Sequence, residues 1–255
     1  MSSLRRLARV AVAALPPLLA GFAAAPPTAS AANALSEAQR QEVRDLVRST
    51  LVENPAILAE AVAALRVQQA EKEREDARAA IAAQAEALFH AAADPVLGNP
   101  DGDVTVVEFF DYRCGYCKSV FGMLMDTVAA DGGIRLVLKE FPVLGEDSTL
   151  AARWSLAAHG QGRYAAFHTA LMGHRGAITE DVLRGYAAAA GLDVETAAKD
   201  AASQAVTDTL QANRAQALSL GVHGTPAFII GRDLLPGAID AATLSEAVAA
   251  ARKEG

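Results

Sequence analysis

Two hydrophobic rhythms divide this chain. From Ser36 to Leu65 apolar residues recur at helical spacing: Val43, Leu46, Val47 and Leu51 follow a Ser36–Gln39 capping box, and Ile57, Leu58, Val62 and Leu65 follow the Asn54–Pro55 break. Two amphipathic helices are expected, the second started by Pro55. Gln68 to Arg78 is then polar on nearly every face, which a helix packed on a core cannot be. If helical from Pro55 to about Ala92, the segment measures roughly 57 Å at about 1.5 Å per residue. The narrow stripes on residues 36–65 have no partner within so small a segment, and a second copy of the chain is the natural one. An ordinary helical cap folded on the main domain is the alternative.

Past Asp94–Asp103, a stretch dense in turn formers that marks a boundary, the rhythm changes. Val104 to Asp111 and Ile134 to Phe141 are strand-length apolar runs broken by Glu108 and Lys139, separated by a helix from Gly115 to about Ala130. That is a strand–helix–strand unit, which implies parallel pairing. Ser148 to about Leu220 is alanine-rich and helical, with helix starts at Thr179 and Asp193 and a stop at Gly191. Pro226 to Ile230 returns to strand composition, and a helix from Asp240 to about Lys253 closes the chain. The order predicts a small α/β sheet interrupted by a helical lid and preceded by an all-helical arm.

The first residues alter the setting. Arg5, Arg6 and Arg9 precede an apolar run from Val10 to Ala25 and then Ala29-Ser30-Ala31, the layout of a secretory signal peptide cleaved after Ala31. A retained membrane helix is the alternative, but Pro16-Pro17 interrupts a run short of the roughly 20 residues a span needs. Removal of residues 1–31 takes three of the 23 basic residues and none of the 30 acidic ones, leaving a formal charge of −10. No basic-aromatic patch offsets it, so no nucleic-acid partner is expected.

The chain has two cysteines, Cys114 and Cys117. A bridge between them closes nearly the smallest possible loop and constrains the unfolded chain little, which argues against a staple. A closed metal site needs about four ligands, and the five histidines are scattered singly, so no metal or other cofactor is expected, although two thiols could take up copper(I). Redox chemistry fits better. A strand leads into Cys114 and a helix leads away, so the first cysteine sits where unpaired amides favour a thiolate, and Cys117 lies nearly one turn later to resolve a mixed disulfide. Gly115 and Tyr116 separate the pair. Glu108, in the preceding apolar strand, is either a buried proton relay or an edge residue facing water. His223 either tunes the site or faces solvent.

Phe109 to Lys118, Lys139 to Gly145 and Gly224-Thr225-Pro226 together closely resemble the DsbA family of exported oxidoreductases, over about residues 100–253. The resemblance implies a thioredoxin-like fold with an inserted helical domain at about 146–220, within a domain of residues 96–255. It implies that Cys114 attacks and Cys117 resolves, that Glu108 relays a proton, and that Thr225-Pro226 is a cis-proline loop binding substrate backbone. Gly-Tyr between the cysteines and threonine before the proline look like the disulfide isomerase DsbC. Residues 32–95 resemble the oligomerisation segment of ScsC and Com1-like members. The expectation is therefore a periplasmic, homo-oligomeric disulfide isomerase or reductase acting on cysteine-containing exported proteins and served by a membrane redox partner. A disulfide-donating oxidase, or a chaperone or copper-handling protein without turnover, are the alternatives.

Overall fold

The structure is a computed structural model that describes residues 35–254. The expected signal peptide lies outside the described residues. The chain divides into two compact units between Ala61 and Val62.

In the first unit, α1 (Glu37–Glu53) opens on the expected capping box: Ser36 Oγ accepts the Gln39 N–H at 3.3 Å, and Gln39 Oε1 accepts the Ser36 N–H at 2.9 Å. Two orphan amides of the first turn are thereby satisfied. No residue of α1 is buried, and Val43, Leu46 and Val47 are all exposed. The next helix, α2 (Ala56–Ala83), starts directly after Pro55 and buries one residue, Ile81. It stops earlier than the sequence suggests. Gln84 leaves helical geometry at φ −118°, ψ 14°, and a short α3 (Ala85–Phe89) follows.

The second unit is built on a five-stranded sheet in the order β1 (Val96–Gly98), β3 (Ile134–Glu140), β2 (Val104–Phe110), β4 (Ala227–Ile230), β5 (Asp233–Pro236). β2 and β3 pair in parallel, with Val106 opposite Leu136 and Glu108 opposite Leu138. The other pairings are antiparallel. The crossover is α4 (Gly115–Asp131), closed by Gly132 at φ 68°, a left-handed conformation that glycine adopts without strain. Two elements were not legible as strands. β1 lies inside the turn-rich boundary, and β5 follows β4 after a two-residue reversal.

Side chains on a strand alternate between faces, so β2 feeds two cores. Val104, Val106 and Phe110 join Leu136 and Leu138 of β3, Leu124 and Val128 of α4, and Leu244 and Val248 of α10 (Ala241–Glu254). Val107 and Phe109 join Val137, Ile229, Ile81 and Leu88 on the opposite face. Residues 81–94 therefore complete the sheet's second face. Lys139, fully buried in β3, donates to Ala87 O at 2.8 Å and pairs with the Asp94 carboxylate, while Arg135 Nη1 donates to Phe89 O at 2.5 Å.

Between β3 and β4 run five helices, α5 (Glu146–Gly160), α6 (Tyr164–Gly173), α7 (Glu180–Ala189), α8 (Val194–Ala201) and α9 (Gln204–Ser219). Thr179 and Asp193 cap α7 and α8 as their sequence positions imply, accepting the N–H groups of Val182 and Thr196.

Candidate active site

The two cysteines sit at the carboxyl edge of β2, where the chain turns into α4. Cys114 is the N-cap residue, in extended geometry at φ −70°, ψ 115°, and its Sγ accepts the Cys117 N–H at 3.4 Å. A sulfur at a helix N-cap faces orphan amides and the positive end of the helix dipole, which favours negative charge there. The Cys114 thiol also reaches Thr225 O at 3.2 Å. Thr225–Pro226 is a cis peptide bond, so the β4 loop and the first cysteine face one another across the strand ends.

The two thiols differ in surroundings. Both are free; Cys114 retains 6% of its surface and Cys117 none. Burial pushes the Cys117 thiol up, and the neighbouring Glu108 carboxylate adds to the effect. Glu108 shares a face of β2 with Val106 and Phe110, the face that α4 covers. Glu108 does not face water: it is 1% exposed, its Oε1 has no hydrogen-bond partner among the described residues, and desolvation pushes its pKa to about 8. Gly115 and Tyr116 occupy the first turn. Tyr116 is 71% exposed, and a Cβ on Gly115 would meet no atom within 4 Å, so both present surface at the mouth of the site. His223 is exposed in the loop before the cis-proline.

Asp111 has a part that sequence reasoning missed. Fully buried, it accepts Arg113 N–H and Ser148 Oγ–H on Oδ1, both at 2.7 Å, and Val143 and Leu144 N–H on Oδ2 at 2.8 and 3.0 Å. Its carbonyl accepts the Cys114 N–H at 3.1 Å. This one carboxylate ties the turn before the cysteines to the loop after β3, and the available signal was an acid ending an apolar strand. Beside it lies a second buried cluster. Tyr112 Oη bonds Glu140 Oε1 at 3.1 Å, Ser155 Oγ at 2.5 Å and His168 Nδ1 at 2.7 Å, and Tyr164 Oη donates to the same Glu140 oxygen at 3.0 Å. Desolvation raises Glu140 and lowers His168 to about 3. These groups pin helices α5 and α6 of the insert to the turn before the cysteines and to the end of β3.

Such a dithiol is disposed for disulfide exchange, and the mixed sheet beneath it has the strand order of a thioredoxin fold with helices inserted before β4. The class is that of DsbA-like thiol–disulfide oxidoreductases. Residues 105–249 match the DSBA-like thioredoxin domain, and the chain belongs to that family. Residues 39–72 match a second family, the copper resistance protein ScsC N-terminal domain. Among solved structures, a thioredoxin-like oxidoreductase from Silicibacter pomeroyi is similar at 46% identity and a TM-score of 0.64, covering 66% of this chain and 97% of that one. ScsC of Proteus mirabilis, in a transitional conformation, is similar at 32% identity and a TM-score of 0.64, covering 87% of this chain and 100% of that one. The Na(+)/H(+) antiporter NhaA of Herminiimonas arsenicoxydans is 34% identical over 161 residues, which are 63% of this chain and 26% of that protein. This chain thus spans about a quarter of the length of the antiporter relatives it matches. No described helix is long and apolar enough to cross a membrane.

Proposed function

We propose that this protein is a periplasmic disulfide isomerase or reductase in which Cys114 attacks and Cys117 resolves. The observation that carries the reading is the asymmetry of the pair: one sulfur at a helix N-cap beside the cis-proline loop, the other buried next to Glu108. The Cys114 thiolate attacks one sulfur of a substrate disulfide. A new S–S bond to Cys114 forms, and the other substrate sulfur leaves as a thiolate that takes up a proton. In isomerisation the released thiolate attacks a second disulfide of the substrate, the thiolate freed there attacks the substrate sulfur of the mixed disulfide, Cys114 leaves as a thiolate, and no net electrons move. In reduction the ionised form of Glu108, which gains population as pH rises towards about 8, takes the Cys117 proton, and the Cys117 thiolate attacks Cys114 Sγ. The substrate leaves with both thiols, and two electrons have come from the dithiol. Thr225 and Pro226 hold the substrate backbone beside Cys114, while Gly115 and Tyr116 form the surface it meets.

The preference for isomerase over oxidase rests on residues 32–95 acting as an oligomerisation segment. The exposed apolar positions of α1 and the first half of α2, together with the ScsC N-terminal match, support it. Joined protomers offer several thiols to one misfolded chain and keep each from an oxidase that recognises a monomer. The partners are then cysteine-containing exported proteins and a membrane protein that keeps the dithiol reduced. Export with cleavage after Ala31 is part of the same reading.

The test is refolding of a scrambled-disulfide protein and reduction of insulin by the chain from Ala32 onward. Both activities are expected, and both are expected to vanish in Cys114→Ala. Activity retained in that variant would end the catalytic reading and favour a chaperone or copper-handling role. Oxidation of reduced substrates without isomerisation would make the protein a disulfide donor instead.

A further inference from the structure

A cavity of about 370 Å³ opens beside the first cysteine, lined by Tyr112, Arg113 and Gly115 together with Lys118, His174 and Arg175. Three of its lining residues are permanently or ordinarily cationic, and none is acidic. The chain as a whole carries a formal charge of −7, so a basic cleft at this place is not a sample of its general surface. Asp111 lies close beneath, but hydrogen bonds from four protein donors occupy its two oxygens. Asp147 approaches Arg113 at 3.8 Å from outside the cavity.

The cations are held in place by backbone carbonyls. Arg175 Nη1 donates to the carbonyls of Met172, Gly173 and His174 at 3.1 to 3.3 Å, and Arg113 Nη1 donates to Leu144 O at 3.1 Å. Lys118 Nζ donates to Leu171 O at 3.2 Å and His174 O at 2.5 Å. The arginines are anchored through one nitrogen each, which leaves the other edge of each planar fork for a carboxylate. Burial lowers the Lys118 pKa, and repulsion from Arg175 lowers it further, so the two charges crowd one another and an anion between them relieves both.

We propose that this cleft is a substrate-selecting subsite: it takes a carboxylate carried on the substrate chain within about two residues of the cysteine under attack, so the protein acts preferentially on cysteines flanked by Asp or Glu. Reach sets that spacing. Gly115 lines the cavity and directly follows Cys114, and an extended chain advances about 3.3 Å per residue, so a peptide bonded to Cys114 enters the cleft within one or two residues. The volume suits one or two side chains rather than a folded element. The inference rests on the reading of Cys114 as the attacking thiol.

The test uses peptides that differ only in carrying Glu, Gln or Lys on both sides of a single cysteine, each joined by a disulfide to thionitrobenzoate. Attack by reduced enzyme forms the Cys114–peptide disulfide and releases the coloured thiolate, whose rate is normalised to release by dithiothreitol. At low ionic strength the Glu peptide is expected to react about tenfold faster than the Lys peptide, a ratio that shrinks as salt rises. Arg113→Gln with Arg175→Gln is expected to bring the ratio to about one, whereas Arg175→Lys, which keeps the charge, retains the preference. A ratio of one in the unaltered protein, with every peptide reacting through Cys114, overturns the subsite and leaves the attacking thiol intact. A preference that survives the double substitution also overturns it. Release that persists in Cys114→Ala defeats the attacking-thiol reading itself.

Discussion

Two helices of equal length, α1 and α4, show how similar local chemistry serves opposite ends. Each spans 17 residues and begins at a side-chain cap, Ser36 in one and Cys114 in the other. In α4 the cap is the sulfur proposed to attack, and Cys117, Val120, Leu124 and Val128 are buried. In α1 the cap only closes the first turn. None of its residues is buried, and Leu46 is 64% exposed. A helix of this length is marginal alone in water and gains its stability from packing an apolar face. The difference teaches that α4 is complete within its own unit, whereas α1 leaves its apolar face exposed, the face that the proposed reading pairs with a second copy.

The comparison breaks most visibly if that face is ruined. Val43→Glu, Leu46→Glu and Val47→Glu together are expected to turn an oligomer into a monomer by sedimentation. They should also abolish refolding of scrambled substrate while attack on a small peptide disulfide persists. Unfolding of the second unit, followed through the single tryptophan, Trp154, is expected to shift by no more than about 0.5 kcal/mol, the usual range for surface changes. The same three substitutions leaving assembly intact would make α1 an ordinary solvated helix.

A smaller effect sharpens where the second unit begins. Leu88 has no exposed surface and packs with Val107, Phe109 and Ile229, so Leu88→Ala should cost about 2–5 kcal/mol in the Trp154 urea transition. For the same reason, deletion of residues 32–95 would remove Ile81, Leu88 and Asp94 from beneath the sheet and confuse loss of assembly with loss of fold. Substitutions on α1 avoid that.

The finest effect concerns the carboxylate under α4. Burial holds Glu108 protonated in the folded chain up to about pH 8, whereas an unfolded glutamate ionises near 4.3. Between those values the unfolded state binds fewer protons than the native state. The contribution of Glu108 to stability therefore falls as pH rises through that window, by up to about 1.4 kcal/mol per pH unit, and is constant below and above it. Glu108→Gln should flatten that slope in urea melts taken between about pH 5 and 8 and slow the Cys117 resolution step by at least tenfold. An unchanged slope would mean that the carboxylate is solvated in the folded state.

Much of this was legible in the sequence because the decisive signals were long or local. Apolar-rich stretches of seven residues form β2 and β3, single residues cap α1, α7 and α8, and two cysteines stand at a strand–helix junction. What was not legible depended on distance along the chain. β1 and β5, at three and four residues, are too short to show a period. Ile81 and Leu88 are lone large residues in an alanine-rich stretch, and only the opposite face of the sheet gives them a partner. Tyr112 meets Glu140 and His168 across 28 and 56 residues, and Arg113 and Arg175 line the same cleft. No local pattern encodes such meetings.

The division of labour between the two thiols can be tested in one measurement: mass spectrometry of the covalent complex formed with a peptide disulfide by Cys117→Ala and by Cys114→Ala. The expected result is a stable mixed disulfide through Cys114 in the first variant, because nothing remains to resolve it, and none in the second. Equal or faster trapping through Cys117 in Cys114→Ala would contradict the assignment of the helix-capping sulfur as the one that attacks.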